Sequence, residues 1–322
     1  MVPPAEFVSY YGRPIVKASP WEADIPAYLF LGGLAGGSSL LAAGADLTGR
    51  PGLRRSSRLT ALAAVTVSFA ALVHDLGRPA RFHHMLRVAK VTSPMSVGTW
   101  ILTAYGPMAG LAAISEAARL APRRSLGPLA RLVVAGLGPG GRAAGLVAAG
   151  LAPALASYTA VLLTDTATPS WHDSHRQLPF VFVGSAAAAA GGMGMVSASR
   201  QEAGPARSLA VGGAVLELIM TARMESAMGL TAQPMHEGRA GRYLRSAKWL
   251  MAGGALVTVV AGRRSRVGAT VAGASLLGGS FCTRFGIFHA GQQSARDPRY
   301  TVVPQRARLD AARVQSLGPT AG

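Results

Sequence analysis

Eight apolar runs divide the chain, at 25–46, 57–76, 95–117, 143–165, 178–199, 207–227, 243–262 and 267–289. Each is close to the 20 or so residues needed to cross a bilayer core. None alternates like a barrel strand. Backbone groups inside hydrocarbon must be satisfied within their own segment, so runs of this length predict helices. The expected fold is an all-α integral membrane protein of about eight transmembrane helices. Polar punctuation supports the boundaries. Asp24 is a candidate cap for the first helix, with Pro26 in its first turn; Gly77 and Pro79 end the second; Ser93-Pro94 opens the third; Pro179 sits in the first turn of the fifth. The stretch 119–142 reads as a basic loop with room for a short surface helix, and the polar tail from about 291 as extended.

The first and fifth runs open alike. Ile25-Pro26-Ala27-Tyr28-Leu29-Phe30 leads into Gly32-Gly33-Leu34-Ala35-Gly36-Gly37, and Leu178-Pro179-Phe180-Val181-Phe182 leads into Gly184 and Gly191-Gly192. This faint repeat suggests two four-helix bundles, 25–165 and 166–290, between an interfacial segment 1–24 and a tail 291–322.

Composition agrees. Hydrophobic residues make up 50% of the chain and charged residues 14%, against roughly 25% charged in a soluble domain. The net charge of +18 would suit nucleic acid if it formed a patch. Here Lys and Arg lie between apolar runs, as membrane-flanking charges do. Residues 1–20 lack an apolar core, so the first hydrophobic helix is expected to act as its own insertion signal. An even helix number brings both ends of the chain to one side, the terminal face. The opposite face carries Arg50, Arg54, Arg55, Arg119, Arg123, Arg124, Arg131, Arg142, Arg200, Arg263, Arg264 and Arg266 with few acids, which by the positive-inside rule places the terminal face outside.

Candidate chemistry gathers at the terminal face. In His74-Asp75-Leu76-Gly77-Arg78-Pro79-Ala80-Arg81-Phe82, a continuous helix would let Arg78 meet His74 and Asp75 at spacings of four and three. An acid, a base and a guanidinium at a membrane boundary suit binding a quinone carbonyl and exchanging its proton. A structural salt bridge is the alternative. Tyr158 and Asp165, two turns apart, fit the wall of a pocket, flanked by Trp21, Glu22, Tyr28, Trp100 and Trp171, of which Trp21 and Trp171 also fit an aromatic belt. Deeper lie Glu217, with Arg223 and Glu225 nearer the terminal face, and Arg284. A mid-membrane carboxylate must be neutral, paired or wet, so Glu217 is either a structural partner of a base such as Arg284 or part of a proton path. The single cysteine, Cys282, rules out an Fe–S cluster or thiolate zinc site within the chain. The histidines offer no pair facing one another in mid-helix, which argues against haem. His172-Asp173-Ser174-His175 reads as a solvated loop, and no metal site is expected.

Three blocks carry a family resemblance: residues 21–37, beginning Trp21-Glu22-Ala23-Asp24-Ile25-Pro26-Ala27-Tyr28; residues 74–82; and Ser93-Pro94-Met95-Ser96-Val97-Gly98-Thr99-Trp100. In order and spacing they resemble the polysulfide reductase membrane-subunit family, the NrfD-type proteins, best over about 1–120. The resemblance implies eight or more helices in two four-helix bundles and no haem. It implies a bacterial cytoplasmic-membrane subunit docked to a four-cluster ferredoxin-like iron–sulfur subunit, itself serving a molybdopterin catalytic subunit. The exchangeable substrate it implies is a quinone, usually menaquinone, in the first bundle. Asp75, His74, Arg78, Tyr158 and Asp165 are the carry-over candidates, and proton movement by Glu217, Arg223, Glu225 and Arg284 is the further option. Two rivals stand beside this reading: a secondary transporter, favoured by glycine-rich helices and Glu217, and a passive anchor without quinone chemistry.

Overall fold

The computed structural model describes the backbone of residues 13–120 and 128–316 and the side chains of 13–119 and 136–313. Among the described residues the chain is all-helical. Ten α-helices follow one another: α1 (Asp24–Leu47), α2 (Pro51–His74), α3 (Pro94–Leu120), α4 (Pro128–Thr164), the short α5 (Pro169–Asp173), α6 (Leu178–Ser197), α7 (Gly204–Met228), α8 (Gly238–Val260), α9 (Arg266–Arg296) and α10 (Arg299–Ser316). Two 3₁₀ segments, Pro79–Arg87 and Gly229–Met235, lie between them. Prolines at or next to the first position start α2, α5, α6 and α7, where the missing N–H leaves no intrahelical bond unmade.

Six helices are long and apolar enough to cross a membrane: α1, α2, α3, α4 over Gly136–Thr164, α6 and α9. α7 and α8 match them in length, at 25 and 23 residues, but are more polar. α7 carries Arg207, Glu217, Arg223 and Glu225; α8 carries Arg239, Arg242, Arg245 and Lys248 in its first half. α1 packs on α2, α4 and α6, and α3 on α4. α6 packs on α7 and α9, and α8 on α9.

Three local expectations are corrected. The basic loop is shorter, because α4 begins at Pro128 and continues through Pro139 and Pro153; Arg123 and Arg124 lie outside the described residues. The polar tail is helical: α9 runs on to Arg296 and α10 follows. Asp24 does not cap α1. The N-cap is Ala23 with no side-chain bond, and the Asp24 carboxylate meets His74 instead.

At the end away from the termini, ion pairs join the first four helices. Arg54 reaches Asp46 at 3.0 Å and Glu116 at 2.7 Å, Arg58 reaches Glu116 at 2.8 Å, and Arg142 reaches Asp46 at 3.1 Å. Arg58 and Glu116 are buried. Arg54 and Arg142, read in the sequence as flanking charge, are therefore partly neutralised. Glu202 accepts the Leu53 amide at 2.8 Å, satisfying an open N–H at the start of α2 from outside the helix.

Candidate functional site

At the terminal end, the residues before α1 fold over the other helices. Gln292 of α9 donates to the carbonyls of Ser19 (3.0 Å) and Trp21 (3.3 Å). Trp21 stacks near Trp171 (6.0 Å between centroids), which in turn meets Phe288. Trp171 is fully buried, and its Nε1 donates to the Ile287 carbonyl at 2.8 Å. That corrects the aromatic-belt reading for this residue. A side chain at Gly291 would fall within 2.0 Å of the Trp171 ring, so a glycine there is a packing requirement.

Under this cover, a cleft of about 70 Å³ opens between α1, α2, α3 and α4. Its walls include Tyr28, Asp75, Leu76, Gly98 and Tyr158. Three features give it chemistry. Asp75 sits just past α2, half-buried, with its Oδ1 accepting the Glu22 amide at 3.4 Å. Burial raises the Asp75 carboxyl above the usual carboxylate range, and Asp24 and Glu22 nearby add to the effect. The Tyr158 hydroxyl is buried with no hydrogen-bond partner. Its ring lies against α3 at Gly98, where a Cβ would come within 2.3 Å of it. An orphaned phenol on a residue that lines the same cleft as a carboxyl fits a ligand with a carbonyl or hydroxyl oxygen, as a quinone has.

The other proposed site residues are distributed differently. His74, at the end of α2, pairs with Asp24 at 2.8 Å on an exposed edge beside the cleft. Arg78 is exposed at the start of the Pro79–Arg87 segment, and no ion pair joins it to Asp75 or His74 among the described residues. The spacing argument fails there because α2 ends at His74, so positions 75 and 78 share no helical face. Trp100 faces outward, donating to the Val88 carbonyl at 3.2 Å, and is not in the cleft wall. Asp165 lies beyond the end of α4 and is exposed.

The third sequence block has a visible task. Ser96 donates to the Val88 carbonyl at 2.8 Å and accepts the Lys90 amide at 3.0 Å. With Trp100, it fixes the chain leaving the 3₁₀ segment against the start of α3. Gly98, whose role as the Tyr158 seat the sequence did not reveal, lies within the same block. Also missed were the buried Ser39–Tyr105 bond at 2.7 Å, with Tyr105 donating to the Ala35 carbonyl, and Arg58 with Glu116. Arg58 follows Arg54 and Arg55 at helical spacing, a signal that could have found it, whereas Ser39 and Tyr105 sit on apolar stretches of their helices with no charged neighbour to mark them.

Deep in the other half, Thr283 donates to Glu217 Oε1, while Oε2 has no hydrogen-bond partner. Arg284 does not form an ion pair with Glu217. It donates to the carbonyls of Phe182 (2.9 Å) and Leu29 (3.5 Å) and lies over the Phe182 ring at 3.7 Å. Its Nη1 is buried without a partner. Glu225 pairs with Lys248 at 2.7 Å, and Arg223 is exposed.

No curated protein matches the chain. The sequence matches the family described as "Polysulphide reductase, NrfD" over residues 15–295, a span holding all the helices just described except α10 and the end of α9. Members of that family are membrane subunits of quinone-linked oxidoreductase complexes and generally pair with iron–sulfur and molybdopterin subunits. With apolar helices of spanning length and a match over most of its sequence, the chain belongs to the NrfD family.

Proposed function

We propose that this chain is the quinone-reactive membrane subunit of a respiratory complex in a bacterial cytoplasmic membrane. It crosses the bilayer eight times in two four-helix bundles, with α7 and α8 as the two polar spans. Electrons pass between menaquinone and a four-cluster ferredoxin-like iron–sulfur subunit docked on the terminal face, which serves a molybdopterin catalytic subunit. The observation that carries the reading is the buried, unpartnered Tyr158 hydroxyl sharing a cleft with Asp75. Tyr158 holds a carbonyl oxygen of the quinone by donating to it. Asp75 takes the proton when the quinol hydroxyl is oxidised, or returns it in the opposite direction. The exposed His74–Asp24 pair next to Asp75 passes that proton to the water of the terminal face. Arg78 and Asp165, outside the cleft, act on the approach of substrate or partner rather than on the reacting oxygen.

The test is Asp75→Asn in the purified complex. The variant is expected to assemble with its iron–sulfur partner in normal amount and to lose quinol turnover by about 10²-fold or more. Full turnover in an assembled variant would remove Asp75 from the chemistry and favour a passive anchor. A chain that purifies alone, with no effect of quinone, would favour a transporter.

A second reading concerns protons and rests on Glu217. Its Oε2 is buried without a partner, and Glu217 lines a gap of about 10 Å³ together with Thr221, Lys248 and Thr283, near the lower limit for one water. Through that gap Glu217 neighbours Lys248, which pairs with Glu225. Glu217→Gln in reconstituted vesicles is then expected to retain quinol turnover and to lose proton translocation; unchanged translocation would leave Glu217 a structural partner of Thr283.

A further inference from the structure

A pocket of about 490 Å³ lies at the terminal end of the other half of the molecule, where α8 packs on α9 beside the start of α1. Its polar side chains are Arg239, Arg242, Tyr243 and Ser246 of α8 and His289 of α9. Among the described residues, no hydrogen bond or ion pair within the chain engages any of them. The other basic residues of α8 are spoken for: Arg245 donates to the His236 carbonyl at 3.1 Å, and Lys248 pairs with Glu225 at 2.7 Å. No acid lines the pocket. Glu22 and Asp297 line a wider cleft beside it, where Arg299 holds Asp297 at 2.8 Å. Glu237 accepts from Gln233 at 2.8 Å. Beneath this basic rim the wall becomes apolar. It follows α9 from His289 back to Cys282, about 10 Å of helix. Phe285 lies between them, its ring stacked 4.2 Å from that of the partly exposed Phe281. The Tyr243 ring lies nearly parallel to the His289 imidazole at 5.7 Å.

We infer that this pocket binds an anionic glycerophospholipid, with Arg239 and Arg242 on its phosphate and an acyl chain running down past Phe285 and Phe281. The inference goes beyond the quinone reading and needs only that α8 and α9 cross the bilayer. Their terminal ends then set the two arginines at the level of the lipid phosphates, and the aromatic wall in hydrocarbon. A guanidinium fork matches a phosphate in shape as well as charge, and basic pockets between membrane helices suit phosphorylated headgroups. Tyr243 and Ser246 supply hydroxyls for the remaining headgroup oxygens. A free phosphate would meet the same guanidiniums but leave the aromatic wall uncovered. A zwitterionic lipid would bring its ammonium group against two uncompensated arginines. Because Ala23, just before α1, is part of the wall, a bound lipid joins the start of α1 to α8 and α9.

The test is lipid retention, so the outcome does not depend on any quinone activity. The chain is purified in mild detergent with any subunit that accompanies it and stripped of lipid. It is then titrated with phosphatidylglycerol or phosphatidylcholine of the same acyl chains, and bound lipids are counted by native mass spectrometry. The first phosphatidylglycerol is expected to bind at least about tenfold more tightly than phosphatidylcholine, and Arg242→Gln to lose about that factor. Arg245→Gln removes the same charge one turn away, outside the pocket, and should bind as wild type. Ser246→Trp fills the pocket without touching a charge and should lose the lipid as Arg242→Gln does. Equal affinity for the two lipids, or equal effects of Arg242→Gln and Arg245→Gln, would overturn the site and leave general attraction to a basic surface. Unchanged binding by Ser246→Trp would overturn the pocket as its location. Displacement of the lipid by an equal concentration of inorganic phosphate would overturn the lipid assignment in favour of a free anion.

Discussion

Asp75 lies one residue past the last turn of α2, sheltered under the Glu22 amide. Because burial raises its pKa, the carboxyl stays protonated to higher pH than a free aspartate. If it is the base that takes the quinol proton, activity is lost as pH falls through that raised pKa. The acid limb of the kcat/KM profile should therefore lie at higher pH than a free aspartate would give, and should vanish from the residual activity of Asp75→Asn. A profile with an ordinary acid limb would point to a different base. Beside it, Tyr158 depends on Gly98. Gly98→Ala would place a methyl group where the phenol ring now sits. The expected result is a fall in quinol turnover comparable to Tyr158→Phe, with the helices still assembled; wild-type turnover would show that the ring position is not critical.

Helices here are joined by three kinds of polar contact. The buried ion pairs of Arg54 and Arg58 with Glu116 tie α2 to α3. Removing one partner of such a set leaves buried charge uncompensated, a cost of about 3–5 kcal/mol. Glu116→Ala is thus expected to lower thermal stability in detergent sharply, measured by loss of monodisperse protein on heating, whereas Glu116→Gln retains hydrogen bonding and should lose less. Equal stability of the two variants would show that shape, not charge, matters at that position. Between α6 and α9 the contact is a hydroxyl bond, Ser185 to Ser280 at 2.8 Å. The guanidinium of Arg284 is held by backbone carbonyls of α1 and α6, so it joins three helices without a carboxylate. The sequence offered Arg284 as one possible partner for a mid-membrane Glu217, beside a proton path, but similar depth on two different helices does not set the rotation of either.

For the whole molecule, the contact of Ser19 and Trp21 with Gln292 brings the beginning of α1 and the end of α9 to one side. With eight spans, single cysteines at Arg13 and Arg308 should label from the same side of oriented vesicles, and one at Arg200 from the other. The cysteines are introduced into a Cys282→Ala background. Labelling of positions 13 and 308 from opposite sides would mean an odd number of spans and would remove α7 or α8 from the count.

Much of this architecture was legible in order and length. The long apolar runs specify helices because a bilayer leaves the backbone few other ways to satisfy its own hydrogen bonds, and the motif blocks at 21–37, 74–82 and 93–100 by themselves resemble the NrfD family. Their residues also outline the cleft, since Tyr28, Asp75 and Gly98 come from those blocks. Several features lay beyond the sequence. It did not say where α2 stops relative to Arg78, that Trp171 is buried rather than interfacial, that Asp24 turns to His74 instead of capping α1, or that Trp100 faces away from the cleft. Each depends on helix rotation and on which neighbour fills a given space, and periodicity carries no such information on helices that are apolar nearly all round. Composition and pattern determined that the chain is helical and membrane-embedded. Tertiary packing alone left the Tyr158 hydroxyl without a partner in the cleft that Asp75 also lines, because only the packed helices decide which polar atoms are buried and which of those are left unpaired.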